Sequence, residues 1–307
     1  MKSLIVPVTP YRQGLPSVAK VGFRFGQNFL RELRSSAIVA LLSLTSSGAA
    51  LAATAPPLGS TSTYGVVSQT FTNTNTAPQT IVNGDVCYTT APVTPPLTIT
   101  GATVVPCPPA TGTDQGLALA NLNGQVCTFL GAGAITLDSI IIGANPPGTI
   151  PPGCYSSGGA MNVTATTTVT LNGAGVYVFR PGGALTTGAN SRVTLANGAC
   201  ASDVFWAPVA ATTIGANAAL SPTPTFVGNI LDGAGISIGQ FANLTGRALA
   251  FGGTVTTDSV TITVPTCAPF AGNPVNIPTL SEWAMIILAG ILALVGFVAL
   301  RKEQTLN

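Results

Sequence analysis

The chain has 307 residues, 46% hydrophobic, 7% charged and 6% aromatic, with 35 glycines, 24 prolines and no histidine. So little charge excludes the usual helical surface of lysine and glutamate and favours a β protein covered by Thr, Asn and Gly. The formal charge of +2 sits at the chain ends. Between residues 53 and 276, Arg180, Arg192 and Arg247 stand against Asp85, Asp114, Asp138, Asp203, Asp232 and Asp258. The clustered bases that a phosphate backbone requires are missing, so nucleic acid is not a partner.

Residues 1–34 are a basic leader. They are followed by "SSAIVALLSLTSSGAALAA", in which an apolar core, Ala37 to Leu44, precedes a small-residue run with Ala50-Leu51-Ala52 in the A-x-A pattern. This is the arrangement of a secretory signal peptide, so residues 1–52 are predicted to be a leader and signal helix, cleaved near Ala52. An exported domain is predicted over 53–270.

All six cysteines, Cys87, Cys107, Cys127, Cys154, Cys200 and Cys267, fall in the exported part. An even number in an oxidising compartment predicts disulfides, with fifteen connectivities open, of which we prefer the sequential pairing. A metal site is not predicted, because the chain has no C-x-x-C spacing and no His, and no cofactor is implied.

The tripeptide Gly-Ala-Asn occurs at Gly143–Asn145, Gly188–Asn190 and Gly215–Asn217, and "SIGQFAN" at Ser237–Asn243 is a fourth, looser copy. The intervals suggest a coil of roughly 20–27 residues, the signature of a solenoid in which each unit buries its apolar face against its neighbours. Side chains alternate along a strand, so Ile142, Thr187, Ile214 and Ile238 would point inward. Thr186, Thr213 and Ser237 would point outward, with Thr256 or Thr257 next in line and Thr164, Thr166 and Thr168 as a second outward set. Glycine would make close turns there, and Asn tolerates the left-handed region. A second series of strands, "GVYVFR", "DVFWAP", "FVGNIL" and "RALAFG", is predicted to be core.

From about Leu58 to Val264 the order of motifs resembles the bacterial and fungal ice-binding-like β-solenoid family. The matching stretches are "TYGVVSQT", "VNGDV", "PPGCY", "GVYVFR", "SDVFWAP", "FVGNILDGAGISIG" and "LTGRALA". The resemblance implies an all-β fold, a right-handed parallel β-helix of triangular section, with one short α-helix alongside. The candidate helix is Thr113 to Gly124, with Thr113 as its cap and Leu119, Leu122 and Val126 at near-helical spacing. It also implies ice as the partner. A flat array of Thr methyls and hydroxyls can order water at the strand spacing of about 4.8 Å.

Catalytic readings are poor. "GISIG" at Gly235–Gly239 matches G-x-S-x-G but lacks a His base, and "GAG" at 131–133, 173–175 and 233–235 lacks the full G-x-G-x-x-G spacing. The aspartates are scattered, Asp203 and Asp232 being the pair most able to meet, and turn capping is the favoured role. No catalytic residues are assigned.

Residues 271–282 are a linker. Trp283 to Leu300 is 18 residues without charge, spanning about 27 Å as a helix, and Arg301 and Lys302 open a basic tail, 301–307. The positive-inside rule then places the tail in the cytoplasm and the domain outside. The string Ile277-Pro278-Thr279-Leu280, Ser281-Glu282-Trp283, apolar span and basic end resembles the IPTL-CTERM sorting signal of Gram-negative bacteria. That resemblance implies a processing enzyme at the motif and a protein of the cell envelope or surface, anchored in the inner membrane before any processing. The function expected is non-enzymatic binding of ice or ordered water through a Thr-rich face. The alternative is a surface adhesin or biofilm-matrix protein binding extracellular polysaccharide or another surface.

Overall fold

The computed structural model describes residues 52–74, 77–96, 98–219, 223 and 225–267. The predicted signal segment, linker, sorting motif (Ile277, Pro278, Thr279 and Leu280), membrane segment 283–300 and basic tail lie outside the described residues.

A short 3-10 turn, Gly59–Thr63, leads into β1 (Tyr64–Asn73), β2 (Ile81–Asn83), β3 (Asp85–Thr90), β4 (Thr98–Ile99) and β5 (Thr103–Val104). Helix α1 (Pro109–Gly124) follows. Three strands per turn then wind as β6 (Thr128–Phe129), β7 (Ile135–Thr136) and β8 (Thr149–Ile150), and next as β9 (Gly153–Ser157), β10 (Met161–Val163) and β11 (Thr168–Asn172). The winding continues through β12 (Tyr177–Pro181), β13 (Leu185–Thr187), β14 (Arg192–Ala196), β15 (Val204–Trp206) and β16 (Thr212–Ile214). The last strands are β17 (Phe226–Leu231), β18 (Ile236–Ile238), β19 (Asn243–Thr257) and β20 (Thr261–Thr263). The ladders are parallel, as a solenoid requires, and three strand faces enclose one core.

Coil order is not chain order. The first strand β1 lies between β19, Val66 opposite Ala248, and β3, Val66 opposite Val86. The described residues therefore enter the stack in its middle at β1 and build one end through β5. Helix α1 then carries the chain to the other end, from which β6 onward winds back until β19 docks on β1. The intervals between Gly-Ala-Asn copies predict the recurring coil and carry no sign of this closure.

Inward positions align because the register does. Phe179, Trp206, Ile230 and Ala248 are successive partners and all are buried, so the predicted core strands are the core. Tyr155, Phe179, Trp206 and Phe226 stack along the axis with centroids 5.6, 4.1 and 5.1 Å apart. Such contacts add about 0.5–1.5 kcal/mol each beyond burial. Their polar tips are satisfied locally: Trp206 Nε1 donates to the Val227 carbonyl, Tyr155 Oη to Pro151 and Tyr177 Oη to Gly173.

The helix is longer than its sequence signal. It begins at Pro109, where the missing amide costs nothing, and Pro108 is the N-cap. Thr113 is exposed and does not cap it, and Val126 is exposed and beyond its end. The buried side is Thr111, Gln115, Ala118 and Leu122, helically spaced but half polar, so an apolar search finds only part of it. Gln115 acts like an extra peptide group: its Nε2 donates to the Leu249 carbonyl and its Oε1 accepts from Phe251 N, both at 3.0 Å.

The cysteines pair in sequence order, Cys87–Cys107, Cys127–Cys154 and Cys200–Cys267, with Cα separations of 5.0, 4.5 and 6.3 Å. Cys107 precedes α1 and Cys127 follows it, so two bonds fasten both helix ends to the coils beneath. Asp114 on the helix accepts from Ser60 N at 2.7 Å and Ser60 Oγ at 2.6 Å, which holds its carboxyl below the usual range.

The entry to β1 is clamped by Arg247 of β19. Its Nε and Nη2 donate to the Ser62 carbonyl at 2.9 and 2.5 Å, and Nη1 to Asn229 Oδ1 at 2.7 Å. Asn229 in turn donates to the carbonyls of Ser202 and Val204. Burial pushes the Arg247 guanidinium down to about 10, and it remains charged at neutral pH. Replacing Arg247 by Ala strands these acceptors and should cost about 2–4 kcal/mol. A fall in denaturant midpoint with an unchanged m-value is expected; an unchanged midpoint would show that the clamp carries no stability.

Burial raises the Tyr155 phenol to about 12, and Tyr177 is raised by burial together with Tyr155. Both folded values exceed the unfolded value near 10, so the stability linked to these phenols is fully present below about pH 10. It is lost as pH rises through about 12. An absorbance titration at 295 nm should show these phenols ionising only with unfolding, and early ionisation of both would contradict their burial.

Candidate functional site

Each coil has a helix face, a flat face and a third face, and the chain runs through them in that order. On the helix face, α1 covers the outward side chains Cys154, Val178, Phe205, Leu249 and Val67. The third face is interrupted. β8, β11 and β14 form a separate three-stranded sheet, and beyond β14 an open cleft is lined by Arg192, Thr194, Leu195, Thr223 and Val227. Arg192 Nη1 donates to Thr223 Oγ1 across it at 3.0 Å.

The flat face is built from short strands, β7, β10, β13, β16 and β18, continued by the second halves of β19 and β1. Pairing places Thr136, Asn162, Thr186, Thr213, Ser237, Thr256 and Thr72 in one outward column. At neighbour spacings of about 4.8 Å this is a straight line of hydroxyls and one amide with no charged side chain in it. One pleat earlier along the lower strands stand Ala134, Ala160, Ala184, Ala211 and Gly235, which leave the surface low and even. In β19, β1 and β3 that position becomes Thr254, Thr70 and Thr90, again in register.

Of the residues expected from sequence, Thr186, Thr213, Ser237 and Thr256 share this column. Thr257 does not belong to the surface: it is fully buried and its Oγ1 donates to Asn73 Oδ1 at 3.3 Å. Strand alternation admits only one of the adjacent pair, and Val255 inward puts Thr256 out. Thr164, Thr166 and Thr168 do not form one set. Thr164 lies at the rim of the flat face, its amide bonded to Asp138 Oδ1; Thr166 is on the corner with φ 63°; Thr168 is on the third face opposite Arg192. Thr136, Asn162, Thr72, Thr70, Thr254 and Thr90 were not expected. For Thr70, Thr72 and Thr254 the signal is the alternation in "SQTFTNT" and "GTVTT", which acquires meaning only when β1 is set beside β19.

The corner after the flat face explains two Gly-Ala-Asn copies. A Cβ on Gly188 would lie 2.4 Å from Ala165 N and one on Gly215 2.4 Å from the Gly188 carbonyl oxygen, and Gly239 of the looser copy would meet Ala216 N at 2.7 Å, so glycine is required by close approach. Thr166, Asn190, Phe241 and Ser259 take the left-handed turn, with φ between 53° and 63°. Asn190 Oδ1 also accepts from Ala218 N in the next coil. Gly143 makes no such close approach, with nothing within 4 Å of an added Cβ, although it takes a left-handed φ of 63°. It lies in the segment after β7, where Ile140 and Ile142 plug the end of the core while Ile141 is exposed. The expected equivalence of Gly143 with Gly188 is therefore wrong, and the register counterpart of Gly188 lies at Thr164 and Asp138.

Asp232 has a turn-capping role, accepting from Ala234 N, Gly235 N and Thr212 Oγ1. Ser237 stands on a strand rather than a strand-to-helix elbow, in a chain without His.

An IPTL-CTERM motif matches residues 277–302. An ice-binding protein of Flavobacterium frigoris (strain PS1) is 32% identical over 143 residues, 46% of this chain and 49% of that protein. Ice-binding protein 1 of Shewanella frigidimarina (strain NCIMB 400) is 36% identical over 121 residues, 38% of this chain and 13% of that protein. The chain thus spans about half or less of the length of these relatives. The crystal structure of an ice-binding protein from the Antarctic ascomycete Antarctomyces psychrotrophicus is similar, with a TM-score of 0.58 and 27% identity, covering 70% of this chain and all of that one. The ice-binding-like family description matches residues 57–263, the whole solenoid, and the chain belongs to that family.

Proposed function

We propose that this protein is exported and adsorbs, without catalysis, to ice or ordered water through the flat face. The observation that carries the reading is the single outward column from Thr136 to Thr72, held in register by the coils. A Thr offers a methyl that favours caged water and a hydroxyl that anchors it, and the flanking Ala and Gly keep larger side chains from lifting the surface. The names of the relatives support the same partner. A polysaccharide adhesin would suit a face broken by loops, which describes the third face rather than this one. The coils are read as right-handed, the hand that parallel crossovers almost always take.

Residues 1–52 are read as leader and signal segment, 53–270 as the exported domain and 271–282 as the linker with the sorting motif. Residues 283–300 are read as a membrane span and 301–307 as a cytoplasmic tail. The domain would then be held at the cell envelope until an enzyme acts near Ile277–Leu280.

A bulky side chain on the flat face should break the fit. Thr213→Tyr is expected to remove about half or more of the thermal hysteresis, while Thr170→Tyr on the third face leaves it unchanged. Equal effects with intact circular dichroism would refute the choice of face. In a Gram-negative host, deleting 277–302 should move the protein from the envelope fraction to the soluble exported fraction. Retention in the envelope without those residues would refute the anchoring role.

A further inference from the structure

On the reading that the flat face meets ice, we propose that its grip is concentrated where two hydroxyl columns run side by side, Thr254, Thr70 and Thr90 beside Thr256 and Thr72. These residues come from opposite ends of the chain. Thr70 faces Thr254 and Thr90, and Thr72 faces Thr256. Phe71, Asn73, Val255 and Thr257 alternate with them and are buried, which fixes all four hydroxyls of β1 and β19 outward.

The rest of the flat face differs in kind. Its lower strands carry one polar side chain each, Thr136, Asn162, Thr186, Thr213 or Ser237, and the position one pleat earlier is Ala or Gly. A single column orders water along the stacking direction alone, at about 4.8 Å. Two columns add a second spacing of about 6.7 Å along each strand, so water is fixed in two directions at once. A crystal plane is defined by two directions. The array made by β1 and β19 therefore selects the plane, and the single column below extends the contact without defining it.

The array can be removed or enlarged by small changes. Thr70→Ala with Thr254→Ala converts the upper strands to the pattern of the lower ones, and Ala184→Thr with Ala211→Thr extends the double column downward. Full-length protein in detergent micelles, with empty micelles as the blank, is assayed for thermal hysteresis. The first pair is expected to lower the activity roughly fivefold or more, and the second to raise it roughly twofold or more, with unchanged circular dichroism. If the first pair does not fold, Thr254→Ala alone and the gain-of-function pair decide. The array fails if neither pair changes the activity while Thr213→Tyr removes it, which leaves the flat-face reading standing. No hysteresis from intact, folded protein overturns the ice reading and the array together.

Discussion

The solenoid depends on one junction between its first and last strands, the parallel register of β1 between β19 and β3, with β2 set on β20 beside it. Val66 on one half of the strand and Phe71 on the other pack into the core at this pairing, while Val67 faces out beneath α1. Burial of such side chains is worth about 1.5–3 kcal/mol each. Without the β1 pairing only the ladder of β2 on β20, Val82 opposite Ile262, would join the end formed by β2 to β5 to the end formed by β6 to β20. Arg247 and the disulfides around α1 reinforce the same junction, since the helix has to span from one end of the stack to the other. The cost is long-range closure: the core is complete only when β19 and β20 have been made.

That closure also makes the surface. Strands of three residues are too short to twist far, and glycines at the following corner let coils approach until backbone meets backbone. Bulk is kept inside, in the stack from Tyr155 to Phe226, and charge is kept away from the outward columns. What is left outside is a plane of Thr, Ser, Asn, Ala and Gly. The scarcity of charge noted in the composition is thus a property of faces that must lie flat, and the covered helix face and interrupted third face leave one plane fit for the purpose.

Much of this was legible in the sequence. The outward alternation around Thr186, Thr213 and Ser237, the core strands and the left-handed Asn190 follow from local rules; the cysteine pairing does not, since fifteen connectivities stay open and Cys200 and Cys267 are 67 residues apart. The differences have separate physical causes. Pairing between β1 and β19 leaves no periodic trace, so Thr70 and Thr72 carried no visible partner. Gly143 repeats a tripeptide but closes an end, where its left-handed φ of 63° rather than a close approach between coils favours the glycine. Thr257 was indistinguishable from Thr256 until the inward neighbour Val255 fixed the parity. The helix extends beyond its apolar signal because its buried side is half polar: Thr111 Oγ1 donates to the Pro108 carbonyl at the N-cap and Gln115 bonds to β19.

The central claim is that a flat, uncharged face of short parallel strands adsorbs to ice. Its most direct test is inhibition of ice recrystallisation by the exported domain, residues 53–270, with its disulfides intact. The account predicts that grain growth is arrested at protein concentrations where an equally folded, inert control has no effect. Grain growth that proceeds unchanged at high concentrations of folded protein would contradict it.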